Sequence, residues 1–105
     1  MFSLVARFDC LDDDAAEKFD ALIAELVPHI ESAEPGTLVY VTNTVEDEPL
    51  ARVFFEVYRD RDAFDVHERQ EHVVRFHEAR APCMAGARVE FLTPGPAKGP
   101  VGSGG

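Results

Sequence analysis

Three of the four histidines of the chain lie within one short segment, at positions His67, His72 and His77. Imidazole titrates near neutral pH, so a histidine beside a small-molecule cavity can take a proton from a phenolic or enolic hydroxyl group. A strand-like segment just before them carries two polar groups that could orient such a base, Glu56 and Tyr58. We therefore expect any chemistry to take place between this strand and the helix that holds the histidines.

The stretch His-Glu-Arg-Gln-Glu-His at 67–72 invites comparison with zinc-binding helices. Each helical residue advances by about 100°, so His67 and His72 are about 140° apart around a continuous helix. They cannot then hold one ion together, whereas zinc-binding helices space their histidines four residues apart. Two histidine–glutamate pairs have a suitable spacing but supply only two ligands each, namely His67 with Glu71 and Glu68 with His72. The sequence predicts no metal site.

His67 is the first candidate for a catalytic base. It lies at the edge of the apolar stripe that must face the sheet. We assign to that stripe Ala63, Val66, Gln70, Val73 and Val74. The imidazole would either contact a ligand between helix and sheet or form a hydrogen bond within the core, and the sequence leaves both open. Glu56 or Tyr58 would orient it in either case, whereas His29 and His77 are expected on solvated helix faces.

Hydrophobic periodicity predicts four strands and two helices. Alternating apolar and polar residues mark strands at 2–9, 37–45, 50–58 and 87–92. Apolar residues three and four apart mark a helix from the acidic segment 12–14 to about Ser32, and a second helix over about 61–80. A polar turn at 46–49 joins two of the strands into an antiparallel hairpin. The order is β-α-β-β-α-β, the ferredoxin-like α+β arrangement with an antiparallel sheet and both helices on one face.

Apolar side chains occur on both faces of the predicted strand at 50–58. Phe54 and Tyr58 alternate with a second apolar set, Val53, Phe55 and Val57. The helices cover only one face of the sheet, and a face with Phe54, Tyr58 and either Tyr40 or Val41 should not meet bulk water. Burial against a second copy of the sheet is the simplest solution, so we expect a homodimer.

Composition and charge exclude several classes of partner. The 105 residues are enough for one domain, and with 46% hydrophobic residues that domain can build its own core. A net charge of −10, from 20 acidic and 10 basic residues, argues against nucleic acid and anionic membranes as partners. No apolar run approaches the roughly 20 residues of a membrane span, and the N-terminus has no basic segment ahead of its apolar stretch. We expect a cytoplasmic protein.

The cysteines and the C-terminal segment are expected to play no part in the chemistry. Cys10 and Cys83 are far apart in sequence and lie in no metal-binding or redox motif, which favours two reduced, half-buried thiols. Residues 94–105 are rich in proline and glycine, a composition that cannot bury a core and predicts a disordered tail. The folded domain is therefore expected to span residues 1–93.

Several motifs recur together in this chain: Glu-Pro-Gly-Thr-Leu-Val-Tyr at 34–40, Phe-Phe-Glu-Val-Tyr-Arg-Asp-Arg-Asp-Ala-Phe-Asp-Val-His at 54–67, and His72 after it. This pattern resembles the antibiotic biosynthesis monooxygenase domain family. That family shows a glutamate–proline–glycine turn, a Glu-x-Tyr strand end, an Ala-Phe-x-x-His helix start and a second histidine at this spacing. The likeness covers about residues 3–93.

The resemblance implies a dimeric α+β barrel in which two ferredoxin-like sheets face each other and each subunit holds a ligand pocket. Some members of the family oxygenate phenols and quinols without a cofactor, because the substrate anion itself reduces O2. The protein then binds the substrate, helps to deprotonate it and excludes water. We accordingly expect a cofactor-independent monooxygenase of small aromatic phenols or quinols, with His67, Glu56 and Tyr58 as catalytic residues. The expected substrate-binding residues are Tyr40, Phe54, Arg52, His72 and Met84.

Other branches of the resemblance leave alternatives open. The haem-degrading members carry a helix tryptophan where His67 stands, and this chain contains no tryptophan, so we do not expect haem degradation. A branch that isomerises a phosphorylated sugar shares the two histidines and a stretch matched by Met84, Gly86 and Arg88; Arg52 and Arg88 would then be the cations nearest a phosphate. A non-catalytic ligand-binding or accessory protein of a biosynthetic pathway is the third possibility.

Overall fold

Residues 1–99 are described by the computed structural model, in which four strands and three helices follow one another along the chain. The elements are β1 (Phe2–Cys10), α1 (Asp13–Ala33), β2 (Thr37–Val45), β3 (Glu48–Tyr58), α2 (Arg61–Arg69), α3 (Glu71–Arg80) and β4 (Met84–Leu92). The strands form one antiparallel sheet in the order β2-β3-β1-β4. The predicted ferredoxin-like α+β fold is confirmed.

The long helix α1 begins and ends close to the predicted positions. Asp12 caps its N-terminus, because the side-chain carboxylate accepts a hydrogen bond from the Ala15 amide at 2.8 Å. Its buried face carries Phe19, Leu26 and Ile30, and Pro28 lies within the helix. No helix within residues 1–99 is both long and apolar enough to cross a membrane.

The second helical segment is two helices, which corrects the single helix predicted over 61–80. At Gln70 the backbone leaves the helical conformation, with φ −65° and ψ 138°, and α3 starts afresh at the next residue. The predicted apolar stripe is also wrong in part, since Val66 and Val74 are 43% and 42% exposed. Phe64 and Phe76 lie in the core instead, beside Ala63 and Val73 of the predicted stripe.

The face of the sheet with Phe54 and Tyr58 lies under the helices and forms the core. Phe54 packs against Phe19 and Phe76, with ring centroids 6.0 and 6.4 Å apart. This corrects the expectation that these side chains need a second copy of the chain to bury them. Val41 lies on the opposite face of the sheet and is 44% exposed. No helix within residues 1–99 covers that face.

The described part of the predicted tail lies outside the regular structure. Residues 93–99 form neither helix nor strand. The rest of the predicted disordered segment, residues 100–105, lies outside the described residues, so its disorder stays a prediction.

Candidate functional site

A cavity of about 140 Å³ lies between the sheet and the helices α2 and α3. Its apolar wall combines strand residues with phenylalanines from the helices and from β4: Leu4, Ala6, Phe8, Phe64, Phe76 and Phe91. Its polar wall consists of Tyr40, Glu56, His67, Glu68, His77 and Arg80. A flat aromatic molecule with a few polar substituents suits such a lining.

His67 is buried in the wall of this cavity, with 4% of its side chain exposed. Its Nδ1 lies 2.6 Å from Oε1 of Glu34, a carboxylate at the end of α1 that is itself 2% exposed. A carboxylate accepts only, so Nδ1 carries the proton and Nε2 is left as the basic nitrogen. The predicted base therefore has an orienting carboxylate, and that carboxylate is Glu34, not Glu56 or Tyr58.

The same Glu34 carboxylate also binds His72, whose Nε2 lies 2.5 Å from Oε2. The prediction that His67 and His72 diverge by about 140° assumed one continuous helix, and the break at Gln70 makes it wrong. Thr37 donates a further hydrogen bond to Oε1 at 2.7 Å. Burial alone would raise the pKa of Glu34, but the hydrogen bonds from His67, His72 and Thr37 outweigh it and lower the pKa below its ordinary value.

Glu34 is the functional residue that sequence reasoning missed. It lies in the Glu-Pro-Gly motif, which we interpreted only as a turn. Its backbone amide ends α1 by donating to the Ile30 carbonyl at 3.1 Å. Gly36 lets α2 approach this turn, because a Cβ at that position would lie 2.7 Å from Cβ of Ala63. The motif thus places a carboxylate under the helix that carries His67.

Glu56 and Tyr58 form a second buried pair on β3. The Tyr58 hydroxyl donates to Oε1 of Glu56 at 2.5 Å, and that oxygen lies 4.0 Å from Nε2 of His67. Burial raises the pKa of Glu56, although the Tyr58 hydrogen bond works in the opposite direction. Burial and the neighbouring Glu56 charge raise the pKa of Tyr58, so it stays a neutral donor. Glu56 lines the cavity, whereas Tyr58 is fully buried behind it.

Tyr40 contributes the hydroxyl group on the β2 side of the cavity. Its ring lies 5.6 Å from the His67 ring, measured between centroids. Burial, followed by the charges of Glu56 and Glu34, raises the pKa of Tyr40 well above its ordinary value. Tyr40 therefore keeps its proton and can donate a hydrogen bond to an oxyanion in the cavity.

His77 lines the cavity, and 42% of its side chain is exposed, as expected for a solvated helix face. Its Nε2 donates to Oε2 of Glu68 at 3.1 Å, and this hydrogen bond is the main cause that lowers the pKa of Glu68. The Arg80 guanidinium lies one turn further along α3 and packs over the Phe8 ring, 4.9 Å from its centroid. Burial lowers the pKa of Arg80.

Four of the predicted substrate-binding residues do not line the cavity: Phe54, Arg52, His72 and Met84. Phe54 is a core residue, and His72 faces a separate groove between α1 and α3. Arg52 binds Asp20, with its Nε 2.7 Å from Oδ1. Arg88 pairs with Glu90 on the uncovered face of the sheet, so neither predicted phosphate-binding cation reaches the cavity.

The cysteines stay outside this arrangement. Cys10 and Cys83 are both free and both buried, and burial raises the pKa of the Cys10 thiol. In residues 1–99, no three histidine, cysteine, aspartate or glutamate side chains are grouped so that they could hold a metal ion.

Comparison with known proteins identifies the family. The sequence model described as "Antibiotic biosynthesis monooxygenase" matches residues 1–79 of the chain. The chain belongs to the antibiotic biosynthesis monooxygenase family. The resemblance expected from the Glu-Pro-Gly, Glu-x-Tyr and Ala-Phe-x-x-His motifs is thereby confirmed. A search of curated proteins finds no match.

Solved structures share the fold of this family member over nearly its whole length. A crystal structure of an antibiotic biosynthesis monooxygenase is 26% identical, with a TM-score of 0.84 over 91% of this chain and 100% of that one. Rv0793 from Mycobacterium tuberculosis is 25% identical, with a TM-score of 0.84 over 93% and 98%. Protein SO0527 from Shewanella oneidensis is 28% identical, with a TM-score of 0.78 over 87% of each chain.

Proposed function

We propose that this family member is a cofactor-independent monooxygenase that oxidises a small aromatic phenol or quinol with O2. The observation that carries the proposal is the buried His67, whose Nδ1 is 2.6 Å from the Glu34 carboxylate and whose Nε2 is left as a base in an aromatic-lined cavity. The reaction named for the family supplies the class of chemistry.

The chemistry begins with removal of a proton from the substrate. Nε2 of His67 accepts the proton of a quinol hydroxyl, and Glu34 stabilises the imidazolium that forms. The quinol anion is electron-rich and gives electrons to O2, which forms a bond to a ring carbon as a peroxide. Cleavage of the O–O bond leaves one oxygen atom on the ring as a new carbonyl or hydroxyl and releases the other as water. Quinol plus O2 thus becomes hydroxyquinone plus water.

The cavity supports these reaction steps through the positions and the polarity of its side chains. Tyr40 stays protonated and can donate to the oxygen on which charge develops. The buried rings of Phe8 and Phe76 limit the access of water to the peroxide from the core side of the cavity. No residue of the chain needs to change its oxidation state, because the substrate supplies the electrons.

The test is oxygen uptake with a panel of dihydroxyaromatics, compared between the wild type and His67→Gln. A general base is worth about 10²–10⁴-fold in rate, so we expect the variant to remain folded and to lose turnover by that factor. His29→Gln is the matched control, because His29 is exposed on α1 and does not line the cavity. A His67→Gln variant that keeps full turnover per folded molecule would exclude the proposed base.

A non-catalytic binding or accessory role gives a different result in the same experiment. The panel would then bind in the cavity without oxygen consumption by the wild type. Measuring substrate binding by calorimetry together with oxygen uptake distinguishes the two roles.

We also propose that the protein is a homodimer, with two copies joined through the uncovered face of the sheet. The central part of that face is apolar and partly exposed, with Val5, Val39, Val41, Val53 and Phe55. A sheet that is covered by helices on one side only usually presents polar residues on its other side.

A further inference from the structure

Within residues 1–99, the cavity wall contains a guanidinium that no carboxylate contacts. Every arginine in this range lies within 4.0 Å of a carboxylate except Arg69 and Arg80. Arg69 is exposed, whereas Arg80 is partly buried and lines the cavity. The chain has a net charge of −10, so a partly buried guanidinium without a salt bridge is unusual in it.

Two polar atoms on the same face of α3 lack hydrogen-bond partners in the described chain. They are Nε of Arg80 and Nδ1 of His77, and both are buried. The two residues are three apart on the helix, so their side chains are neighbours. Both atoms have almost no accessible surface, so a ligand in the cavity would contact the terminal nitrogens of Arg80 and not these two atoms.

The Arg80 guanidinium only donates, and it suits an anionic oxygen. Packing of the guanidinium on the Phe8 ring holds it in place at the cavity wall.

The acidic groups of the cavity do not cancel this preference. Glu68 is already bound to His77 at 3.1 Å. Glu56 accepts the Tyr58 hydroxyl, and burial favours its neutral form. Within residues 1–99, Arg80 therefore has no carboxylate in direct contact, although the lowering of its pKa by burial is opposed by the more distant charge of Glu68.

We infer that the phenolic substrate also carries a carboxylate and that the Arg80 guanidinium binds this carboxylate. The inference rests on the proposed function for the identity of the site, and it narrows the substrate class to acidic phenols and quinols. Arg80 would anchor the carboxylate at the α3 end of the cavity while the reacting hydroxyl group lies at His67.

The test measures binding of two matched aromatic probes, 3-hydroxy-2-naphthoate and 2-naphthol, by titration calorimetry. A charge-assisted contact is worth about 10- to 100-fold in affinity, so we expect the wild type to prefer the naphthoate by that factor. Arg80→Gln should lose the preference while it keeps its affinity for 2-naphthol. Arg69→Gln removes the same charge from an exposed site and should behave as wild type.

Equal affinity of the wild type for 3-hydroxy-2-naphthoate and 2-naphthol would overturn the inference without the need for any variant. Absence of oxygen uptake, with the carboxylate preference intact, would instead count against the oxygenase and leave the anion subsite standing.

Discussion

Glu34 is the side chain on which the geometry of the site depends. Its two carboxylate oxygens hold His67 and His72 at 2.6 and 2.5 Å, although these residues belong to different helices. The local sequence indicates only a turn at this position, because the contacts form when α2 and α3 pack over the end of α1. His67 itself was predictable, since it lies beside the buried stripe and near the strand that carries Glu56.

Replacement of Glu34 by glutamine should make stability depend on pH in a defined direction. Near neutral pH we expect Glu34→Gln to lower the free energy of unfolding by about 1–3 kcal/mol, because the buried His67 and the partly buried His72 lose a charged acceptor. The folded-state pKa of Glu34 lies below its ordinary value. The wild-type advantage is therefore fully present above the unfolded pKa, about 4.3, and is lost as pH falls through the folded pKa. Urea unfolding of both proteins at several pH values measures this difference in the free energy of unfolding.

Glu31→Gln is the control for this prediction. Glu31 is exposed on the same helix, so its replacement should change the free energy of unfolding by less than about 0.5 kcal/mol. A difference between Glu34→Gln and the wild type that grew on acidification would contradict the assignment of Glu34 as a hydrogen-bonded carboxylate.

At the scale of elements, the break at Gln70 decides which side chains enter the site. Gln70 has ψ 138°, while its amide still donates to the His67 carbonyl at 3.1 Å and closes α2. The sequence contains no proline or glycine here, and glutamine is a good helix former. The break is therefore a product of packing, and neither periodicity nor propensity signals it. The strands were predictable because one of their faces is buried and the alternation is regular.

Two proline substitutions, one at the break and one inside α3, should show the break directly. Glu71 is the first residue of α3, where proline is tolerated, and Gln70 before it already has the extended conformation that proline favours. We expect Glu71→Pro to change the free energy of unfolding by no more than about 1 kcal/mol. In one continuous helix the same substitution would cost about 3 kcal/mol or more. Chemical denaturation of the purified variant distinguishes the two values.

Glu78→Pro provides the comparison within α3. Glu78 and Glu71 are both exposed, but Glu78 lies inside the helix, so proline there removes a backbone hydrogen bond. We expect it to cost about 3 kcal/mol or more. Equal losses at both positions would mean that α2 and α3 form one helix in solution.

At the scale of the whole molecule, the two faces of the sheet differ in how they are covered. One face carries the core and the cavity under the helices. On the other, charged side chains lie around the start of β3 and along β4, where Arg7 binds Asp9 and Glu48 and Arg88 binds Glu90. The sequence predicted that apolar residues lie on both faces, but alternation alone does not tell which face the helices cover.

The proposed dimer gives the uncovered face a testable consequence. Val41 lies there on the edge strand β2 and is 44% exposed, so Val41→Glu should leave the monomer folded. A twofold axis brings the same surface of both copies together, and two buried glutamates in a chain of net charge −10 would repel each other and resist desolvation. In sedimentation equilibrium we expect the wild type to show twice the chain mass of 11.6 kDa and Val41→Glu to show the single mass.

Val74→Glu makes the same change at a 42% exposed position on α3 and should remain dimeric. A wild type that stays at the single mass at micromolar concentration would exclude the sheet-to-sheet dimer.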